Sequence, residues 1–192
     1  MAVITLRDPT SIYNSQNRLF REGVELEKGV VITKDFLERN EEFLAEELRL
    51  FTVYPDAYLS TITPTNSQFK LFPYQVIFLR SLMRYNQIYI TATRAASKSF
   101  LSVLGLFLQC VFIPNHWCSI VAPVKTQGVK IMRQKIEEIL KIWPLLEKEL
   151  EVFMGKPHMN FSKDVAELYF KNGSKFTCEG ANQLPSLIVI YG

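Results

Sequence analysis

The chain has little cysteine, little histidine and no apolar run long enough for a bilayer, and each shortage removes a class of function. The three cysteines, Cys110, Cys118 and Cys178, have no metal-ligand spacing and leave an odd thiol if two pair. They stand in apolar or strand-like sequence, so reduced core residues of a cytosolic protein are expected. His116 and His158 have no partners at catalytic spacing, and a loop or surface role is expected for each. The longest apolar stretch, Ser99 to Ile113, spans about 15 residues against the roughly 20 that cross a membrane, so a buried helix of a soluble protein is expected. The first residues are polar and acidic with no apolar h-region, so no signal peptide is expected. There is no internal repeat and no low-complexity segment.

What remains is a globular composition. Of 192 residues, 48% are hydrophobic and 21% charged, enough apolar mass for one domain with extra terminal elements. The net charge of +3 is too small to announce a nucleic-acid partner by itself. It is unevenly spread: residues 1–70 hold 8 basic and 11 acidic side chains, residues 71–192 hold 14 and 8.

Two regions follow from periodicity. Thr33 to Phe51 carries an apolar stripe (Phe36, Leu37, Phe43, Leu44, Leu48, Phe51) opposite Glu41, Glu42, Glu46 and Glu47, which predicts a solvated amphipathic helix. Pro55 and Asp56 are expected to end that element, and Thr61 to Gln68 to form an irregular connection. Residues 1–54 are therefore expected to be a helical extension and 55–192 the main domain. From residue 72 strand and helix alternate. Pro73 can open a helix over Tyr74 to Met83. QIYITA, Gln87 to Ala92, reads as a buried strand, Ser99 to Ile113 as a buried helix, WCSIVA, Trp117 to Ala122, as a second strand, and Thr126 to Ile142 as an amphipathic helix. Two apolar strands around one helix predict a βαβ unit in a parallel sheet. Asn172-Gly173 between Ala166–Phe170 and Ser174–Cys178 predicts a tight hairpin with positive φ at the turn. Trp117 and Trp143 are expected in the core. Lys125, Lys130, Arg133 and Lys135 are expected on a solvated helix face rather than against DNA.

Chemistry concentrates in Ala92-Thr93-Arg94-Ala95-Ala96-Ser97-Lys98-Ser99, which occupies the frame of a phosphate-binding loop between strand and helix. In such a loop the backbone amides curl around phosphate oxygens, and the following helix adds its positive N-terminal potential. Lys98 would reach the β- and γ-phosphates and the Ser99 hydroxyl would ligate Mg²⁺. Thr93, Arg94, Ala95, Ala96 and Ser97 would line the phosphates. The usual glycines are missing: Ala92 and Ser97 stand in their places. Twenty-three positions before Lys98 lies Gln75, whose amide can pair with adenine N6 and N7, with Phe72 or Tyr74 adding an aromatic face. A plain strand-to-helix turn, with Lys98 solvated and Ser99 as N-cap, is the competing reading of the same residues.

These residues together resemble the large subunit of phage terminase, the ATPase that packages double-stranded DNA into procapsids. FKLFPYQ, Phe69 to Gln75, resembles that family's adenine-contacting motif, and TATRAASKS, Thr91 to Ser99, its divergent Walker A loop. Trp117 to Leu140 is similar to the strand and helix that follow, and FKNGSKF, Phe170 to Phe176, to the lead-in to Walker B. The likeness runs from about Pro55 to Gln183. It implies a P-loop NTPase-like fold, with a mostly parallel sheet flanked by helices and a hairpin near the C-terminus. It further implies ATP and Mg²⁺ as cofactors, with Arg94 neutralising the transferred phosphoryl group beside Lys98. Double-stranded DNA, a portal protein and a terminase small subunit would be partners, in the host cytoplasm, with a ring homo-oligomer only in the complete motor. Where Walker B acids should follow Leu187–Ile190, Tyr191 and Gly192 stand instead, and the nuclease half has no counterpart, so an incomplete domain is expected. A helicase-like nucleic-acid-dependent ATPase and a non-catalytic remnant are the alternatives.

Overall fold

The computed structural model describes residues 49–64, 67, 69–91, 93 and 96–180. The sequence readings for residues 1–48 and 181–192, and for Ala92, Arg94 and Ala95, lie outside the described residues. Of the helix expected over Thr33–Phe51, the described part is helical and runs on to residue 53.

Proline opens the next two helices. Pro55 takes the first position of α1 (Pro55–Ile62), where its missing N–H removes no helical bond, and Asp56 follows in the electropositive first turn. The pair that was expected to end a helix therefore also begins one. Pro73 plays the same part in α2 (Pro73–Arg84). Asp56 is buried, and its two oxygens accept from Arg80 Nε and Nη2, each at 2.8 Å. The guanidinium also lies 4.7 Å above the Tyr54 ring, so one planar side chain ties α1 to α2.

The central element is α3 (Lys98–Phe112). Phe100, Leu101, Val103, Leu104, Phe107, Leu108 and Cys110 are all buried, more than one helical stripe, because protein covers this helix on several sides. At Gly105 an added β-carbon would run into the Leu82 side chain, so α2 and α3 pack closely at this point.

There follow β1 (Trp117–Ala122), α4 (Lys125–Ile142), a 3₁₀ turn (Pro144–Glu149) and five strands. These are β2 (Val152–Phe153), β3 (Lys156–Pro157), β4 (Met159–Phe161), β5 (Ala166–Tyr169) and β6 (Lys175–Gly180). β2 and β3 form a small separate ribbon. The main sheet has the order β1-β6-β5-β4, with β1 parallel to β6, from Trp117↔Lys175 to Ala122↔Gly180, and the other pairings antiparallel. The fold is α/β with a mixed sheet. A mostly parallel sheet was expected, and among the described residues it is not found, for two physical reasons. Short turns join β4, β5 and β6, and a short turn can only reverse a strand. Residues 87–91, expected as a buried strand, pair with no described strand, and Tyr89 is 92% exposed.

Strand alternation decides what each face of the sheet does. Cys118, Phe176, Cys178 and Leu168 lie on one face and are buried. Both long helices pack there. Gln109 of α3 accepts from the Cys118 thiol at 3.6 Å, and a β-carbon on Gly128 of α4 would meet Cys178 Sγ at 2.7 Å. The three cysteines are free and buried, as their apolar context predicts. The opposite face carries Trp117, Ser119, Val121, Lys175, Thr177 and Glu179. Trp117 was expected in the core but is 59% exposed, since its position in β1 turns it away from the helices. Trp143, at the end of α4, is buried; its indole donates to Thr63 Oγ1 at 2.8 Å, and the ring packs against Phe69 and Phe100.

The turn before β6 departs from its expected geometry. Only Gly173 has positive φ, at +82°, so the Asn-Gly pair is not a two-residue mirror-image turn. Gly173 N–H donates to Phe170 O, and Phe170 N–H to Ser174 O, each at 3.0 Å, the pattern of an ordinary turn followed by a left-handed glycine. Asn172 does different work. Its Nδ2 donates to the carbonyls of Cys110 and Val111, fastening the hairpin to the end of α3.

Candidate functional site

α3 begins without a side-chain cap, as α1 and α4 also do. Its N-cap, Ser97, makes no side-chain capping bond, and its first turn contains no acidic residue. The N–H groups of Ser99 and Phe100 have no acceptor among the described residues. A helix start left in this state presents donors and positive potential to whatever anion approaches. Ser99 was offered as an N-cap in the competing reading; it sits inside the first turn instead, exposed, with its hydroxyl bonded to no described residue.

Ser97 itself has φ +55° and ψ 23°, in the left-handed region. This is one of the two places where the phosphate-loop reading expected glycine, and the chain does turn there with positive φ to enter the helix. A β-carbon there costs about 1–2 kcal/mol. The serine adopts the conformation and bears the strain.

The loop folds back on itself. The Thr93 carbonyl accepts the Lys98 ammonium at 2.9 Å and lies 3.4 Å from the Ala96 N–H, so the lysine crosses the mouth of the turn. Thr93 thus enters through its backbone oxygen; its residue is exposed, while Ala96, Ser97 and Lys98 are half-buried. Arg94 and Ala95, expected along the phosphates, lie outside the described residues.

Gln75 is not the exposed helix residue that its position in an amphipathic stretch suggests. It is 6% exposed, and its Oε1 accepts the Phe72 N–H at 2.9 Å, closing the first turn of α2. No sequence pattern announced this, because the S/T-x-x-E/Q signature needs a polar N-cap and here the N-cap is Phe72. Phe72 and Tyr74 project beside it, 63% and 48% exposed, with ring centroids 6.0 Å apart and planes only 10° from parallel.

The packing of α2 on α3 brings these features to one end of the molecule. Phe69, just before α2, meets Phe100 in the first turn of α3 at 6.3 Å. At the other end Leu82 backs onto Gly105, and Gln109 Nε2 donates to the Leu82 carbonyl at 2.8 Å. The two helices therefore run the same way, and the Gln75 and Lys98 ends lie together.

The basic residues of α4 do not add to this site. Arg133 pairs with Glu137 and Lys135 with Glu138 along the helix, and Lys125 reaches Glu179 at 3.3 Å. His158, for which a loop or surface role was expected, lies against three side chains: its Nδ1 is 2.9 Å from Glu151 Oε2, and its ring stacks on Tyr169 at 4.2 Å and on Phe153 at 5.2 Å. Among the described residues no cluster of three His, Cys, Asp or Glu could hold a metal, and no helix is long and apolar enough to cross a membrane. No protein-family model matches the sequence, and no curated protein matches it.

Proposed function

We propose that this chain is the ATP-binding part of a viral DNA-packaging terminase large subunit, with a P-loop NTPase-like arrangement around α3. The observation that carries the reading is the loop turned back over Thr93, with Lys98 drawn across it and an uncapped helix start immediately behind. A plain turn into a helix would be better served by a glycine than by a serine at positive φ. Here the turn keeps a strained serine, an inward lysine and open amides, which suits a terminal phosphate.

In this reading Lys98 leaves the Thr93 carbonyl for the phosphate oxygens, where its charge is better matched. Ser99 fits a magnesium ligand: its hydroxyl is exposed, bonded to no described residue and one position after the lysine. Magnesium takes few protein ligands and completes its shell with phosphate oxygens and water, so a carboxylate cluster among the described residues is not required. Bound there, the ion would supply charge neutralisation at the phosphates. Arg94 is assigned to the same charge and Gln75, with Phe72 and Tyr74, to the base. Double-stranded DNA, the portal protein and the small subunit belong to the complete motor.

A second reading has one observation in its favour. Residues 87–91 pair with no described strand, and a phosphate loop depends on a strand to hold it. A non-catalytic remnant would look like this. Thermal melting separates the two: Mg-ATP at 100 times its Kd adds about 2.7 kcal/mol to a protein that binds it. No shift at millimolar Mg-ATP would reject the ATP-binding reading. A shift that persists in Lys98→Ala would move the site elsewhere.

A further inference from the structure

We propose that Cys110 and Cys118 form a dithiol that hydrogen peroxide closes to a disulfide, stapling the C-terminal end of α3 to β1. The inference is independent of the nucleotide-binding reading. It begins with two reciprocal contacts. The Cys118 thiol donates to Gln109 Oε1 at 3.6 Å, and Gln109 precedes Cys110 in α3. The Cys110 thiol donates to the Lys175 carbonyl at 3.7 Å, and Lys175 is the register partner of Trp117, which precedes Cys118 in β1. Each sulfur therefore lies beside the chain next to the other cysteine, and the two thiols share a hydrogen bond. Cys178 is set apart. It stands opposite Ile120, two residues further along the ladder, and lies against Gly128 of α4.

The two sulfurs have different roles. The bond from Cys110 lowers the Cys118 thiol against the opposing effect of burial, while that bond and burial together push Cys110 up. The thiolate is the nucleophile, so Cys118 attacks and Cys110 resolves. Cys118 is also the less enclosed, at 5% exposed against 0%. Its strand is paired on one side only among the described strands, which leaves an approach for an oxidant as small as peroxide. In the first step the Cys118 sulfur attacks a peroxide oxygen, the O–O bond breaks, and Cys118 becomes a sulfenic acid as hydroxide leaves. In the second the Cys110 sulfur attacks the Cys118 sulfur and the S–O bond breaks. The hydroxyl group departs as water with the Cys110 proton. Two thiols thus lose two electrons and two protons, and one peroxide becomes two waters. The sulfurs must then close to about 2.05 Å. Asn172 already fastens this end of α3 through the Cys110 and Val111 carbonyls, so little ordering remains to oppose closure.

The test treats the reduced, native full chain with a small excess of hydrogen peroxide and maps its digest by mass spectrometry without reductant. Two of the three thiols should be lost to a Cys110–Cys118 cross-link within one chain, reversed by dithiothreitol, with Cys178 still free. Cys178→Ser should cross-link as the parent does. In Cys110→Ser the sulfenic acid on Cys118 has no resolving partner and should be trapped by dimedone. In Cys118→Ser, Cys110 should take up about tenfold less of the same reagent. Three free thiols after treatment of the parent would overturn the proposal, as would cross-links through Cys178 or between chains. Equal dimedone labelling of the two single variants would overturn the assignment of Cys118 as the attacking residue.

Discussion

The two ends of α3 are built on opposite principles. At the C-terminal end nearly every backbone group is answered. Asn172 Nδ2 reaches the Cys110 and Val111 carbonyls, Ser174 Oγ donates to Ile113 O at 2.8 Å and accepts from His116 N–H at 3.0 Å, and Asn115 N–H donates to Asn172 O at 3.1 Å. At the N-terminal end Ser97 is strained, no side chain caps the turn, and the Ser99 and Phe100 amides have no described acceptor. One end uses its polar groups for stability; the other keeps them open. A helix can present open donors at one end because its opposite end and its apolar flanks hold it in place.

The contrast can be broken from either side, and the largest effect belongs to the open end. Lys98→Ala should reduce binding of a fluorescent ATP analogue by well over tenfold, on the order of 2 kcal/mol or more, without lowering the melting temperature. A stability loss as large as the binding loss would show that Lys98 serves the fold instead. At the closed end, Asn172→Ala removes two bonds to helix carbonyls and one from the Ser174 N–H. It should cost about 2 kcal/mol and lower Tm by roughly 4–8 °C. Nucleotide affinity should be unchanged; a parallel loss would show that the two ends are coupled.

Smaller changes sharpen the comparison. Ser97→Gly relieves the left-handed strain at the open end and should stabilise the fold by roughly 0.5–1 kcal/mol in denaturant titration. If stability falls instead, the serine side chain makes a contribution that its geometry does not reveal. The smallest effect lies far from both ends, on the open face of the sheet, where Lys175 Nζ donates to Glu167 Oε1 at 2.9 Å. That bond holds the Glu167 carboxyl below its usual 4.5, against the opposing effect of burial. Burial would lower Lys175, but the bonds with Glu167 and Tyr169 outweigh it and raise the ammonium above its usual 10.5. The Glu167 contribution is complete above its unfolded value and disappears as pH falls through the lowered one. That of Lys175 is complete below its unfolded value and disappears at strongly alkaline pH. The pair is partly solvated, so Glu167→Gln should remove only about 0.5 kcal/mol of the stability between pH 4.5 and 10. A melting profile between pH 3 and 6 identical to that of the parent would count against the pair.

Periodicity carried much of this fold into the sequence. The helices near Pro73, Ser99 and Thr126 are found within a residue or two of their expected ends, because apolar spacing and flanking prolines are local signals. Of the apolar face that spacing predicts for α4, Val129, Met132, Ile136 and Ile139 are buried and Leu140 is half-buried. Where pairing decides, sequence was a poor guide. QIYITA has the composition of a strand, but a strand needs a neighbour, and 87–91 has none among the described residues. WCSIVA was a strand as read, yet which of its faces met the helices was invisible in a run apolar on both, and Trp117 was misplaced as a result. Asn172-Gly173 pointed to the right turn for the wrong reason, since the asparagine binds α3 rather than adopting positive φ. At the candidate site the helix start was legible to within one residue, and Ser97, at a place read as a glycine's, does take positive φ. The turning of Gln75 onto its own helix was not legible, because that bond depends on a backbone N–H which every residue except proline possesses.

The sheet order places β1 at an edge: β6 pairs with one side, and no described strand pairs with the other. Its six residues, WCSIVA, contain no charge, no proline and no lysine to discourage association. Such a strip can template intermolecular ladders, and the hazard grows with protein concentration and with heat. Handling this polypeptide at high concentration therefore calls for attention to self-association, and a single lysine at Val121 is the economical place to suppress it.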